Sequence, residues 1–356
     1  MAAQVSSNEA AKIAVLMSGG VDSSLAAALL QQQNREIVGV TLQLRPLQGA
    51  SPEERKDRTQ SLDDARRVVS QLGIEHRTLD VTDEFARLIL QPFRQAYRQG
   101  HTPNPCIRCN RLIKFDLVLQ KMRPHGVVAV ATGHYARLEG NASACHLKRA
   151  ADRDKDQSYF LYAIGRQSLP RVLFPVGHLR KSEARRLAEQ LGLPVAHKSE
   201  SQDFCFLAGE DYRQVVPACG PGPIVDPSGR VLGTHPGVEH FTVGQRKGIG
   251  LSGGPYYVLQ IDPATNTLIV GPKKEGYHSC LEADEAVWLE SVRVGQEVEA
   301  QIRSRHRASP ATVESIEGGR FRLRFPEPQW AITPGQSAVL YAGDLVLGGG
   351  IIRRAA

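Results

Sequence analysis

No run of 18 consecutive apolar residues occurs anywhere in the 356, so no segment reads as a membrane-spanning helix. About a dozen residues precede the first strand-like run, Lys12–Met17, too few for the charged, apolar and cleavage regions of a signal peptide. No membrane association is expected, and the expected location is the cytoplasm. Cysteine is sparse: six residues, two of them in one Cys-x-x-Cys, do not make the disulfide framework of a secreted scaffold. They point instead to free, catalytic or metal-binding thiols. No internal repeat is present, and collagen-like composition is absent. What remains is a globular chain, 41% hydrophobic and 23% charged, long enough for two or three packed domains. Its formal charge of +7 favours polyanionic partners without requiring one.

The first two-thirds alternates β-branched runs with amphipathic stretches, the pattern of a parallel sheet with crossover helices. Strands are expected at Ile13–Met17, Glu36–Leu42, Arg77–Val81 and Val127–Ala131. Helices are expected at Ser24–Gln33, from an N-cap at Ser61 to a stop at Gly73, and over Asp83–Arg98. Between 42 and 60 a polar segment with Pro46, Gly49 and Pro52 reads as a long loop and a candidate lid. Past 206, glycine and proline become frequent and Asp226-Pro-Ser-Gly229 reads as a hairpin turn. From 281, short runs at Ala286–Leu289, Val298–Ile302, Thr312–Ile316, Phe321–Phe325 and Ala338–Tyr341 suggest a small β-barrel. The expected domains are therefore 1–206, 207–280 and 281–356.

Ser18-Gly19-Gly20-Val21-Asp22-Ser23-Ser24 falls between the first strand and the first helix. Glycines allow a tight turn that aims successive N–H groups at one spot, and the helix N-terminus adds partial positive charge, so a phosphate suits the loop. The loop lacks the lysine of a Walker A motif and the spacing of a dinucleotide fingerprint, which disfavours kinase-like and dehydrogenase readings.

Thr102-Pro-Asn-Pro-Cys106-Ile-Arg-Cys109-Asn110 places two cysteines three apart, just before an expected helix around Leu112–Met122. A helix N-terminus and the neighbouring Arg108 and Arg111 favour thiolate formation. By itself the pair reads as half a zinc site, a redox pair or packed thiols, and no second Cys-x-x-Cys completes a zinc site. Cys205 lies between Phe204 and Phe206, where burial is the ordinary reading; Cys145, Cys219 and Cys280 stand outside any motif. Ala131-Thr-Gly-His-Tyr-Ala-Arg137 follows a strand and so belongs at the sheet's carboxyl edge, where Gly133 can pass close to a nucleotide and His134 can donate to a phosphate or base. Lys155-Asp-Gln-Ser-Tyr-Phe-Leu161 offers a cation, a carboxylate and an amide in succession, or equally a solvated helix start.

The loop at 18–24 resembles the pyrophosphatase loop of the ATP-pyrophosphatase superfamily. Together with Asn-Pro-Cys-x-x-Cys-Asn, Ala-Thr-Gly-His-Tyr, Lys-Asp-Gln-Ser-Tyr-Phe-Leu, the Cys205 motif, Phe241-Thr-Val-Gly-Gln-Arg-Lys-Gly248 and Thr333-Pro-Gly-Gln-Ser-Ala-Val339, it closely resembles the bacterial tRNA-specific 2-thiouridylase (MnmA) family over nearly the whole chain. The implied fold is an α/β, parallel-sheet ATP-pyrophosphatase (adenine nucleotide alpha hydrolase-like) domain, then a small central domain and a C-terminal β-barrel. The implied activity is ATP-dependent adenylation of O2 of the wobble uridine in tRNAs for Lys, Glu and Gln, followed by replacement of that oxygen with sulfur. Adenylation turns a poor leaving oxygen into AMP, and a persulfide or sulfide is a strong attacking group.

By that resemblance Cys205 carries the persulfide, and Cys109 is the nucleophile that releases sulfide and ends in a disulfide with Cys205. Leu16, Met17, Ser18, Gly19, Gly20, Val21, Asp22, Ser23, Leu42 and Gly133 would contact ATP, with Asp22 helping to organise Mg2+. Asn104, Pro105 and Cys106 would surround the target base, while Lys155, Asp156, Gln157, His134, Gln336, Arg305 and His306 would contact tRNA. Residues 301–356 hold eight Arg and no Lys against three Glu and one Asp, a net +4 that suits RNA. The implied partners are tRNA, a cysteine desulfurase or sulfur-relay protein, and a thiol reductant.

Cys106 departs from the family, in which Asp is common at that position, so an acid–base group is missing near the uridine. Cys106, Cys109 and Cys205 would instead supply three thiolates able to hold an iron–sulfur cluster with one open iron. Two rival readings are another ATP-pyrophosphatase, such as an amidotransferase-type synthetase or argininosuccinate synthase, and a non-enzymatic RNA-binding sulfur or iron–sulfur carrier. The former lack the cysteine pair with a tRNA-like carboxyl domain; the intact loop opposes the latter.

Overall fold

Strand β1 (Lys12–Leu16) has Ile13, Ala14 and Val15 wholly buried, so both its faces are covered, as in a parallel sheet flanked by helices. The computed structural model describes residues 11–45, 52–141, 144–199 and 212–355. Contacts divide the chain into two units, Met1–Ile89 with Cys106–Gly209 and Asp344–Val346, and Leu90–Pro105 with Glu210–Gly343 and Leu347–Ala356.

In the first unit β1 is joined by β2 (Ile37–Gln43), β3 (Glu75–Asp80), β4 (Val127–Ala131), a hairpin of β5 (Arg137–Asn141) and β6 (Ala144–Lys148), and the short β7 (Val172–Leu173). The parallel sheet runs β3-β2-β1-β4-β7. Order reverses between β1 and β4, so the carboxyl ends of these two strands flank the crevice where open α/β sheets bind ligands. Helix α1 (Val21–Gln32) buries Leu25, Ala26, Ala27, Ala28 and Leu30 in a core that also takes Ala184 and Ala188 of the helix Lys181–Gln190. Small residues on both helices let the two backbones approach closely.

Helix α2 (Pro52–Leu72) corrects two expectations: Ser61 lies inside the helix, and residues 52–60 of the candidate lid are helical. Proline at the first helical position, followed by Glu53 and Glu54, is a strong start signal. The polar composition of the next two turns hid it, because a solvated helix face resembles a loop. Residues 46–51 lie outside the described part. Gly73, at φ 65°, ends α2 as expected. The helix around the cysteines also begins earlier, at Pro105: Pro105–Cys109 is α-helical, Asn110–Leu117 is π-helical and Val118–Met122 is α-helical again.

The second unit contains a four-stranded sheet, β10-β11-β8-β9, formed by β8 (Gly222–Val225), β9 (Val231–His235), β10 (Tyr257–Asp262) and β11 (Thr267–Gly271). The expected turn joins β8 to β9, with Asp226 Oδ1 accepting from the Ser228 and Arg230 amides at 3.0 and 3.1 Å. Ile224, Val238, Phe241, Val258, Leu268 and Val270 form its core.

The barrel consists of β12 (Tyr277–Trp288), β13 (Glu297–Gln301), β14 (Ser309–Glu317), β15 (Arg320–Trp330), β16 (Ser337–Ala342) and β17 (Leu345–Ala355). It is ordered β12-β15-β14-β13-β16-β17, and β17 pairs back onto β12. The sequence reading missed β17 because Gly348-Gly-Gly350 resembles a loop. The glycine is sterically required: a Cβ on Gly348 would stand 2.3 Å from the Val287 carbonyl oxygen of the partner strand.

Candidate active site

Ser18–Ser24 leaves the carboxyl end of β1 and enters α1, as the sequence predicts. Gly19 is left-handed, at φ 70°, and a Cβ there would lie 2.2 Å from the Ser61 carbonyl oxygen of α2, so only glycine fits. Ser23 Oγ donates to the Gly20 carbonyl at 3.0 Å and lies 3.1 Å from Ser18 Oγ, while the Ser18 amide donates to Ser23 Oγ at 3.3 Å. Ser24 Oγ also donates to Gly20, at 2.9 Å. These hydroxyls brace the loop from within. Leu16 ends β1, Leu42 lies near the end of β2, and Gly133 follows β4, so the expected ATP set lines one rim of the sheet. Met17 is buried, its amide bonded to the Val40 carbonyl at 2.8 Å.

Asp22, the acid of the loop, accepts the Tyr135 hydroxyl at 2.8 Å and the Lys181 ammonium on both oxygens, at 2.7 and 2.8 Å. On the other side Lys198 donates to the Gly19 carbonyl at 3.1 Å and to buried Asp64 at 2.6 Å. Asp64 also accepts Gln60, at 2.9 Å, and Arg67. Burial pushes the Asp64 carboxyl up, but the bonds from Lys198, Arg67 and Gln60 outweigh it and hold the carboxyl below its ordinary value. Sequence reasoning missed Lys181, Lys198 and Asp64, which reach the loop from distant segments. Tyr135 had a signal, standing beside His134 in a motif already singled out.

A run of hydrogen bonds connects the expected motifs. The Tyr135 amide donates to Gln157 Oε1 and the Gln157 amide to the Tyr135 carbonyl, both at 2.8 Å. Three residues on, the Phe160 carbonyl accepts Asn110 Nδ2 at 3.0 Å, next to Cys109. The phosphate loop, the Ala-Thr-Gly-His-Tyr turn, the Lys-Asp-Gln segment and the cysteine helix are thus bonded in series. Asp156 turns inward, accepting the Ala150 and Ser158 amides at 2.9 and 3.1 Å, the Ser158 hydroxyl at 2.9 Å and Arg149 at 3.3 Å. Lys155 closes the short helical turn just before it.

Cys106 is half-buried in the first turn of its helix and Cys109 is buried one turn further in. The expectation of both thiols ahead of the helix is corrected on this point. Three residues apart on a helix, they share a face. Arg108 is directed away, donating to the Leu88 carbonyl at 3.0 Å. Cys205 lies outside the described residues, and with it the persulfide position, the Cys109–Cys205 disulfide and the third thiolate of the cluster. Among the described residues no group of three or more His, Cys, Asp or Glu is placed to hold a metal.

Known proteins match along the whole of this arrangement. Residues 11–209 match the tRNA methyl transferase HUP domain, 213–272 the tRNA methyl transferase PRC-barrel domain and 278–352 the aminomethyltransferase beta-barrel domain. The tRNA-specific 2-thiouridylase MnmA of Acidithiobacillus ferrooxidans is 44% identical over 353 residues, covering 96% of this chain and 98% of that protein. MnmA of Geobacter metallireducens is 44% identical, covering 96% of each chain. MnmA 1 of Syntrophus aciditrophicus is 46% identical, covering 97% of this chain and 93% of its own. The chain belongs to the tRNA-specific 2-thiouridylase family.

The remaining residues that resemblance to this 2-thiouridylase family marks for tRNA fall into distinct environments. His134 bonds through Nδ1 to the Thr132 hydroxyl at 2.8 Å and packs against Phe115 and Phe174, which also touch each other. Burial, helped by the Lys114 ammonium, holds its pKa well below the ordinary histidine range, so the ring is neutral at pH 7. In the second unit, Gln336 donates to the Thr102 carbonyl at 2.7 Å, and Thr102 Oγ1 donates to Thr242 Oγ1 at 3.1 Å. Gln336 thereby fixes the segment leading to Asn104 and Pro105. Arg305 and Arg307 are exposed between β13 and β14, in a loop and not on a strand face. Arg303 turns back to hold that loop, donating to Thr333 Oγ1 at 2.6 Å and to the Ala331 carbonyl. Burial and the Arg303 charge lower the pKa of His306.

Proposed function

We propose that this chain is a tRNA-uridine 2-sulfurtransferase that adenylates O2 of the wobble uridine in tRNAs for Lys, Glu and Gln and replaces that oxygen with sulfur. The observation that carries the proposal is the series of hydrogen bonds from Asp22 through Tyr135, Gln157 and the Phe160–Asn110 contact to the residue beside Cys109. It couples a phosphate-binding loop to a thiol, the pairing that adenylation followed by sulfur transfer needs. A sulfur carrier has no use for the intact loop.

In the first step uridine O2 bonds to the α-phosphorus of ATP, and the bond to the bridging oxygen breaks with its electron pair leaving on pyrophosphate. The loop amides and the exposed Ser18 hydroxyl meet the phosphates, Ser23 and Ser24 brace the loop that presents them, and Leu16, Met17, Leu42 and Gly133 bound the nucleotide. Asp22 is a hard oxygen ligand beside the cradle and suits Mg2+, which when bound neutralises triphosphate charge. In the second step the Cys109 thiolate attacks the inner sulfur of a Cys205 persulfide, forming the Cys109–Cys205 disulfide and releasing hydrosulfide. Hydrosulfide adds to C2, AMP leaves and C2=S remains. A thiol reductant then supplies two electrons to reopen the disulfide, and a cysteine desulfurase or relay protein reloads Cys205.

Cys106 and Cys109, on one helix face, fit two positions of a thiolate set that Cys205 would complete, and a cluster held there would offer an open iron to sulfide. Asn104, Pro105 and Cys106 border the target base, and Lys155, Gln157, His134, Arg305 and His306 serve tRNA in this reading, with Asp156 and Gln336 shaping the segments that carry contacts. We assign 1–206 to catalysis, 207–280 to a central domain and 281–356 to a tRNA-binding barrel. No helix among the described residues is long and apolar enough to cross a membrane, and we place the reaction in the cytoplasm.

The test is formation of 2-thiouridine, read by nucleoside mass spectrometry, from unmodified tRNA for Glu, ATP, magnesium, a sulfide source and reductant under anaerobic conditions. Wild type should form product with release of pyrophosphate. Loss of product in Cys109→Ala and Cys205→Ala but survival in Cys106→Ala selects the persulfide relay, and loss in all three selects the three-thiol site. Active protein without iron and acid-labile sulfide removes the cluster.

A further inference from the structure

The phosphate loop contains no cation of its own, yet departing pyrophosphate gathers negative charge that a binding loop ordinarily meets with lysine. The fold brings one from 159 residues away. Lys181 is the first residue of the helix Lys181–Gln190 and is only 9% exposed. Its amide is fixed by Asp152 Oδ2 at 2.9 Å, and its ammonium lies 5.4 Å from the centre of the Tyr135 ring while holding both oxygens of Asp22.

Three features distinguish this ion pair from a structural brace. Lys181 is nearly buried while Asp22 keeps an open edge, and desolvating an ammonium for such a pair stabilises a fold less well than an apolar residue of the same size would, so a structural role alone gives little reason for it here. Ala184 and Ala188 already anchor the helix in the core, so the ammonium is not needed to dock it. Asp22 also receives the Tyr135 hydroxyl, a neutral donor that keeps it bonded when the lysine shifts. Lys198, the other lysine at the loop, is committed to the loop backbone and to Asp64.

We propose that Lys181 is the phosphate-binding cation of this site. Its ammonium pairs with Asp22 before nucleotide enters and then binds the β- and γ-phosphate oxygens. As the α-phosphorus to bridging-oxygen bond breaks, the Lys181 ammonium acts as a fixed positive charge beside the leaving pyrophosphate. The inference rests on the adenylating reading above.

The test compares full-length wild type, Lys181→Met and Lys181→Arg by equilibrium binding of ATP and of AMP without tRNA, and by tRNA-dependent pyrophosphate release. Losing the cation should weaken ATP binding by at least about tenfold, since an ionic hydrogen bond contributes on the order of 1.5–3 kcal/mol. Pyrophosphate release should fall on the order of 10²–10³-fold. AMP, which lacks the β- and γ-phosphates, should bind as in wild type, and Lys181→Arg should recover part of the ATP affinity. A structural role would weaken ATP and AMP alike, and that result, or unchanged ATP binding, overturns the proposal. If Lys181→Met does not fold, Lys181→Gln, which retains a donor to Asp22, is read by the same ratio. Wild type that binds ATP in preference to AMP but releases no pyrophosphate with tRNA would refute the adenylating reading while the binding contrast still judges Lys181.

Discussion

Gly133 rests on the first turn of α1: a Cβ at this position would lie 2.6 Å from both the carbonyl carbon of Asp22 and the amide nitrogen of Ser23. The turn after β4 thereby presses the phosphate loop into shape. Gly133→Ala must push these backbones apart, an overpacking cost of about 1–3 kcal/mol. Calorimetry should show a melting point lower by several degrees, with ATP affinity reduced alongside. A variant with wild-type stability and ATP affinity would show that the contact does not set the loop.

Arg303 and Arg305, two residues apart, should separate by experiment. Arg303→Ala removes the donors that hold the loop to Ala331 and Thr333, so both melting temperature and tRNA affinity should fall. Arg305→Ala should leave melting unchanged, weaken tRNA binding and lower the slope of log affinity against log salt by about 0.7–0.9. Filter binding at several salt concentrations reads both.

Acid should destabilise the protein through its histidines. The pKa values of His76, His101, His134, His178, His235 and His306 are all lowered, chiefly by burial. Below about pH 6.5 the unfolded chain takes up protons that the folded chain resists, so stability falls as pH drops. His134 is shifted well below its ordinary value, and His134→Gln should flatten the fall between pH 7 and 5 in thermal melts. An unchanged slope would remove His134 from that list.

Asp156→Ala should destabilise the chain by about 1–3 kcal/mol, because the Ala150 and Ser158 amides lose a shared acceptor. The loss should be non-additive with Ser158→Ala, whose hydroxyl joins the same carboxylate. Lys155→Ala should instead weaken tRNA binding. Urea melts of the single and double variants, with binding measured in parallel, check both statements.

Much of this was legible along the chain wherever function depends on neighbours in sequence. The phosphate loop had glycines, an acid and flanking elements of the right kind, and β4 announced the rim on which Gly133 sits. What escaped notice depends on three-dimensional proximity. Lys181 stands in an ordinary amphipathic helix and acquires meaning only when that helix packs on α1. Pro52 reads as loop because the residues that follow it, Glu53 to Gln60, are all polar, as in a loop. Asp156 and Gln336 carry polar groups that look ligand-facing in sequence, but folding gives those groups internal partners.

The position of β17 has a consequence for biosynthesis. It is the last of the six barrel strands to be made, yet it closes the barrel by pairing with β12, the first. Until β17 emerges, the preceding strands form only an open sheet, with Leu281 of β12 and Leu340 of β16, buried in the finished barrel, on the two edges that β17 will join. At the usual pace of about 5–20 residues per second, the ribosome leaves that seam open for a second or so. A product lacking β17 could not close the barrel, so stalled translation leaves the loop that carries Arg305 on an open sheet.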